Sequence, residues 1–202
     1  MAGPSTSVAQ RVAAMAARLP TGTAVPVRAF RVCGPATAVR PALARLVARG
    51  VLVRAAHGVY ARPQPNRYFG VALPPPAEIA RAIAEASGER LAPHGAEVAL
   101  RLGLSTQVPV QPVFYTSGRS RRVRVGRGHI GFVHAPARLL AQAESRAGVA
   151  LLALHHLGPA HVTPPLLLAL HERVPLDELA RLPYLPAWLR ARLGRPDAAP
   201  DA

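Results

Sequence analysis

A chain of 202 residues, half of them apolar, is long enough to bury one large core or two small ones, which excludes a wholly disordered protein. A single cysteine, Cys33, excludes an intramolecular disulfide framework or a multi-cysteine metal site, and the longest apolar runs fall short of the ~20 residues that span a bilayer, so a cytoplasmic chain with no membrane partner is expected. The formal charge of +15 arises from 25 basic residues, all of them Arg, against ten acids, a compositional bias that makes the location of charge more informative than its total.

Ser5 and Ser7 offer N-caps to a first amphipathic helix, in which Val8, Val12, Met15 and Leu19 recur at helical spacing until Pro20 and Gly22 stop the pattern. The acid-free, Ser- and Arg-containing start also has the composition of an organelle transit peptide, but the helix has a use in the domain that follows. "TAVPV" predicts a short extended piece and "VRAFRVCG" one or two helical turns closed by Gly34. Residues 37–49 predict a further helix, with Thr37 as N-cap, Val39, Leu43, Leu46 and Val47 on one face, and Gly50 as its stop. With that start, Pro41 falls near the first turn. "VLVR" and "VYAR" then read as paired strands across "AAHG", where Gly58 can take a positive φ.

Helix, short helix, helix, two-stranded ribbon is the order of a winged helix-turn-helix, which assigns residues 1–65 to a DNA-binding domain. Residues 66–76, within the Pro-rich "PQPNRYFGVALPPP", predict a linker. Residues 77–196 predict a mixed α+β domain: the helix "AEIARAIAEASG", a short strand, a helix ending near Gly103, and three strands, the last two joined through Gly126, Arg127 and Gly128. Helices broken by Pro164, Pro165, Pro175, Pro183 and Pro186 follow, and residues 197–202 predict a frayed tail.

Residues 1–77 hold ten Arg and no acid, whereas the other 125 residues carry 15 Arg against ten acids. Two thirds of the excess charge thus sits in about the first third of the chain, the footprint of a nucleic-acid-binding module joined to something else. On the predicted recognition helix, Thr37, Pro41, Arg45 and Ala48 lie opposite the apolar stripe. Small residues around one Arg let a helix approach a groove while Arg45 reaches base edges. Arg40 flanks that face, Arg49 ends the helix, and Arg54, His57 and Arg62 line the ribbon, so double-stranded DNA is the expected partner.

Elsewhere the chemistry is sparse. "RSRRVRVGR" sets Arg119, Arg121, Arg122, Arg124 and Arg127 on one hairpin, Arg122 and Arg124 sharing one strand phase and Arg119 and Arg121 the other. It reads either as a second basic patch for phosphate or an acidic protein surface, or as a solvated hairpin in an Arg-biased chain. His155, His156 and His161 in "HHLGPAH" lack a Cys or acid at ligand spacing, so no metal is expected. Cys33 and the serines have no recognisable activating partner, and "GRG" at 126–128 matches no Walker or dinucleotide pattern, so no cofactor is expected. A nuclease needs convergent carboxylates, and Glu78, Glu85, Glu89, Glu97, Glu144, Asp177 and Glu178 fall on predicted helix faces or first turns instead.

Taken together, "ALARLVARGVLVRAAHGVYARP", "APHGAEVALRLGLSTQVPVQPVFYTSG", "VRVGRGHIGF" and "LHHLGPAHVTPPLLLALHERV" resemble the AbiEi-like antitoxin family of type IV toxin-antitoxin systems, in its subgroup with an N-terminal winged helix. The resemblance runs from about Val8 to Arg192, and "GVY" before Pro63 and "GLSTQVP" at 103–109 are its most specific parts. It implies operator binding and autoregulatory repression through a recognition helix at 37–49 and a wing at 51–62, with the remainder neutralising a nucleotidyltransferase-like toxin. It carries over no catalytic residue, and this chain departs from the pattern at Pro41 and in its Pro-broken C-terminal helices. The expected protein is a non-enzymatic DNA-binding antitoxin. A protein-interaction module with vestigial DNA binding, or a DNA-processing enzyme, are the alternatives.

Overall fold

Helix α1 (Val8–Arg18) starts after Ser7 because Ser7 and Gln10 form a reciprocal capping box, which satisfies two otherwise orphaned main-chain donors. The computed structural model describes residues 6–66 and 70–194, a mixed α+β chain that divides by contacts into two units. One unit comprises Met1–Glu89 and Arg122–Ile130, the other Arg90–Arg121 and Gly131–Ala202.

In the first unit α1 leads into strand β1 (Ala24–Pro26), a 3-10 helix (Val27–Cys33), helix α2 (Ala36–Ala48) and the ribbon β2 (Val53–Ala56) and β3 (Val59–Ala61). The three strands form one antiparallel sheet in the order β1-β3-β2. Val12, Phe30, Val39, Leu43 and Leu52 pack at its core, and each large side chain removed from water contributes ~1.5–3 kcal/mol. Chain direction at the end of α2 is set by Gly50, whose φ of 71° lets Gly50 N–H reach Val47 O and Val51 N–H reach Leu46 O, both at 3.0 Å. This closure turns the chain straight into β2.

Several boundaries differ from the sequence expectation. Helix α2 begins at Ala36 after Pro35, so Thr37 lies inside the first turn rather than at the cap. Pro41 is therefore interior, and without an N–H it leaves the Thr37 carbonyl outside the helical ladder. The ribbon turn contains only His57 and Gly58, because Ala55 and Ala56 are drawn into β2 by burial. Within the stretch read as a linker, β4 (Gln64–Asn66) and β5 (Gly70–Ala72) pair as a small antiparallel hairpin. Helix α3 (Pro76–Ser87), expected to open the second domain, packs on β1 and lies in the first unit. Its buried Ile79, Ala80 and Ile83 form the stripe that makes this possible. The expected Ser5 cap, Arg67 and the 197–202 tail lie outside the described residues.

The second unit holds β6 (Leu91–Pro93), α4 (Gly95–Arg101), β7 (Val113–Thr116) and the last part of β9 (Gly128–His134), whereas β8 (Arg121–Val125) belongs to it only at Arg121; the strands pair in the order β6-β7-β9-β8. Strands β7 and β9 run parallel, with Phe114 opposite Phe132. The middle of the β8–β9 hairpin, residues 122–130, is counted with the first unit. Helices α5 (Ala137–Leu140), α6 (Arg146–His161), α7 (Pro164–His171), α8 (Leu176–Ala180) and α9 (Ala187–Arg192) follow. Leu151, Leu152 and Leu154 of α6 are fully buried among Leu139, Leu170 and Leu179. Helix α4 lies against α6 at a distance only glycine permits, since a Cβ on Gly95 would overlap the Leu152 carbonyl oxygen.

Candidate nucleic-acid interface

The two faces of α2 differ completely. Val39, Ala42, Leu43 and Leu46 are buried, while Thr37, Arg40, Pro41, Ala44, Arg45, Ala48 and Arg49 are exposed. At 100° per residue, Thr37, Pro41, Ala44 and Ala48 form a low central strip, flanked on one side by Arg40 and on the other by Arg45 and Arg49. Among the described residues, the guanidinium groups of Arg40, Arg45 and Arg49 have no hydrogen bond or acidic partner. Two acids of α3 are engaged by arginines outside α2: Glu78 pairs with Arg81 at 2.6 Å and Glu85 with Arg28 at 3.4 Å.

The ribbon presents a second group. Arg54 is exposed in β2 and donates to Nδ1 of exposed His57 at 3.0 Å. A guanidinium only donates, so His57 accepts through an unprotonated Nδ1 and offers Nε2–H outward. The turn is held in place from below, because the Gly58 carbonyl accepts from Val27 N–H at 2.7 Å. The 3-10 helix and the ribbon tip are thereby joined by a short main-chain bond.

Arg62 does not join them. Its guanidinium turns to the end of α1 and donates to the carbonyls of Ala17 at 2.7 Å and Leu19 at 3.0 Å, neutralising the negative end of the helix dipole. The basic hairpin is also divided. Arg121 is half-buried, with its guanidinium 4.6 Å from the Phe132 ring centroid and a hydrogen bond to the Arg119 carbonyl. Arg122 and Arg124 are exposed on the other strand phase and Arg127 in the turn. Arg122, Arg124 and Arg127 belong to the first unit and Arg119 and Arg121 to the second. The first unit consequently carries 14 Arg against three Glu, a net +11 of the total +15.

The sequence pattern did not bring out a ring cluster in the second unit. His94 caps α4, accepting Ala96 N–H on Nδ1 at 3.3 Å, and its ring lies 4.5 Å from Tyr115 and 5.0 Å from His156. His155 approaches Tyr115 from α6, at 6.4 Å. Burial, and then the charge of His156, hold His94 and His155 below the ordinary imidazole value. Burial pushes the Tyr115 phenol up, against a hydrogen bond from Gly95 N–H. His94 and Tyr115 are more than 20 positions apart and meet through the β6–β7 pairing, a non-local contact without a local signature. Among the described residues, no three His, Cys, Asp or Glu gather to hold a metal ion, and no helix is long and apolar enough to cross a membrane.

No curated protein and no solved structure matches the chain. A protein family described as of unknown function (DUF6088) matches residues 11–165, which takes in α1 to α6 except the first turn of α1 and reaches the first residues of α7. With well over half of its length matched, the chain belongs to the DUF6088 family.

Proposed function

We propose that this protein binds duplex DNA through the outer face of α2 and the β2–β3 ribbon, as the autoregulatory repressor and antitoxin of a type IV toxin-antitoxin system. The observation that carries the reading is the α2 surface: a strip of small residues bordered by Arg40, Arg45 and Arg49, with no acid among them. Such a face enters a major groove closely and favours phosphate and guanine edges. The element order α1, β1, 3-10 helix, α2, β2, β3 and the sheet order β1-β3-β2 support a winged helix-turn-helix, with α2 as the recognition helix.

In this arrangement Arg45 reads a base edge, Arg40, Arg49 and Thr37 hold the backbone, and Arg54 with His57 follows the adjacent phosphates. Partnership with a nucleotidyltransferase-like toxin rests on the AbiEi resemblance, and the chain acts by binding rather than by catalysis. Gel-shift titration of the full chain against the duplex upstream of its own reading frame and a scrambled duplex tests the DNA reading. Preference for the upstream duplex is expected, and equal affinity for both overturns operator recognition. Co-expression with a neighbouring nucleotidyltransferase-like reading frame tests the antitoxin role: growth is restored if it holds and stays arrested if it does not.

A further inference from the structure

The "GLSTQVP" run has no part in the DNA surface, yet it forms one wall of a cleft of about 590 Å3 in the second unit. That size suits a small metabolite. Ser105, Thr106 and Gln107 line it together with His156 and His161, and Leu104, Leu157 and Leu166 add apolar lining. No carboxylate lines it.

The loop's hydroxyl and main-chain groups are set as donors. Ser105 Oγ accepts Gln107 N–H at 3.1 Å, which leaves its hydroxyl proton to donate. The main-chain N–H groups of Ser105 and Thr106 bond to nothing among the described residues. His161 Nδ1 donates to Leu157 O at 3.0 Å, which leaves Nε2 as an acceptor for a ligand hydroxyl. An exposed positive charge lies next to Gly103 at the start of the loop: a Cβ on Gly103 would come within 3.3 Å of the Arg173 guanidinium. Gly103, with φ of 67° and no side chain, allows Arg173 to lie over the start of the loop.

We infer that this cleft binds the phosphoryl group of a small phosphorylated metabolite of up to mononucleotide size. Hydroxyls and free main-chain N–H groups, with one guanidinium beside the cleft and no competing carboxylate in its lining, form the donor set that a phosphate oxyanion requires, and His161 Nε2 accepts from a ligand hydroxyl. The leucine lining takes the less polar body of the ligand. This site is independent of the α2 surface and of the DNA-binding reading.

The test is NMR titration of the isotopically labelled full chain with inorganic phosphate, adenosine monophosphate and adenosine. Phosphate and the monophosphate are expected to shift the Ser105, Thr106 and Gln107 amides and the His156 and His161 rings saturably, the monophosphate at lower concentration. Arg173→Gln and Thr106→Val, with unchanged circular dichroism, are expected to weaken binding roughly ten-fold each. Arg45→Ala, which removes a DNA contact, leaves these shifts intact. Adenosine binding as tightly as its monophosphate, no saturable shift with either phosphate compound, or full affinity in Arg173→Gln overturns the assignment.

Discussion

The guanidinium of Arg62 donates to the carbonyl of Ala17 at 2.7 Å, so a residue at the end of the ribbon closes a helix 45 positions earlier. A side chain occupied in this way stabilises the fold and has little reach toward a duplex. Arg62→Ala is expected to lower stability by about 1 kcal/mol, a charge-assisted pair discounted for its partial exposure, and to lower Tm by a few degrees. The salt dependence of duplex binding remains as in the parent, and a slope shallower by about one identifies Arg62 as a phosphate contact instead.

Arg45 and Arg54 should separate in behaviour. Arg45→Ala is expected to reduce the preference for the operator over scrambled duplex by ~1–3 kcal/mol. Arg54→Ala weakens both duplexes by similar factors. Competition gel shifts at fixed salt measure the two, and unchanged operator preference in Arg45→Ala removes α2 as the reading element.

Close approach of α4 and α6 makes Gly95 the most sensitive small residue of the second unit. Gly95→Ala drives a methyl group into the Leu152 carbonyl and the His156 side chain and is expected to cost about 1–3 kcal/mol, measured by denaturant titration. Gly88→Ala, where a Cβ meets nothing within 4 Å although φ is 68°, is the comparison for backbone strain alone.

Stability of the second unit should depend on acidity. His94 and His155 bind protons less readily when folded than when unfolded, because burial and His156 disfavour their cations. The unfolded chain therefore takes up more protons below the ordinary imidazole value of about 6.5, and stability falls as pH drops from there through the lower folded values. Above that window the contribution is fully present. His94→Asn keeps an oxygen acceptor for Ala96 N–H without titrating, and is expected to flatten the decline in Tm between about pH 6.5 and 5. An unaltered pH profile in His94→Asn excludes His94 as its source.

Legibility in the sequence followed the range of the interactions. Helices α1, α2 and α3 carry their apolar stripes and stop signals within a dozen residues, and the exposed face of α2 was readable from 100° periodicity. Position errors arose where proline has two uses. Pro35 rather than Thr37 precedes α2, and the prolines around 65 and 74 suggested a linker although β4, which contains Pro65, pairs with β5. The roles of Arg62 and Arg121 were hidden because their partners, Ala17 and Phe132, are fixed only by the tertiary fold. The His94 cluster and the Ser105 cleft were illegible for the same reason, although the "GLSTQVP" run itself stood out.

Residues 122–130 complete a unit whose other members end at Glu89. During synthesis the amino-terminal unit therefore waits for Ile130 to leave the ribosome before its contacts are complete, by which time β6, α4 and β7 have already emerged. Nascent chains halted shortly after Glu89 should consequently be more open to protease than chains released past Ile130.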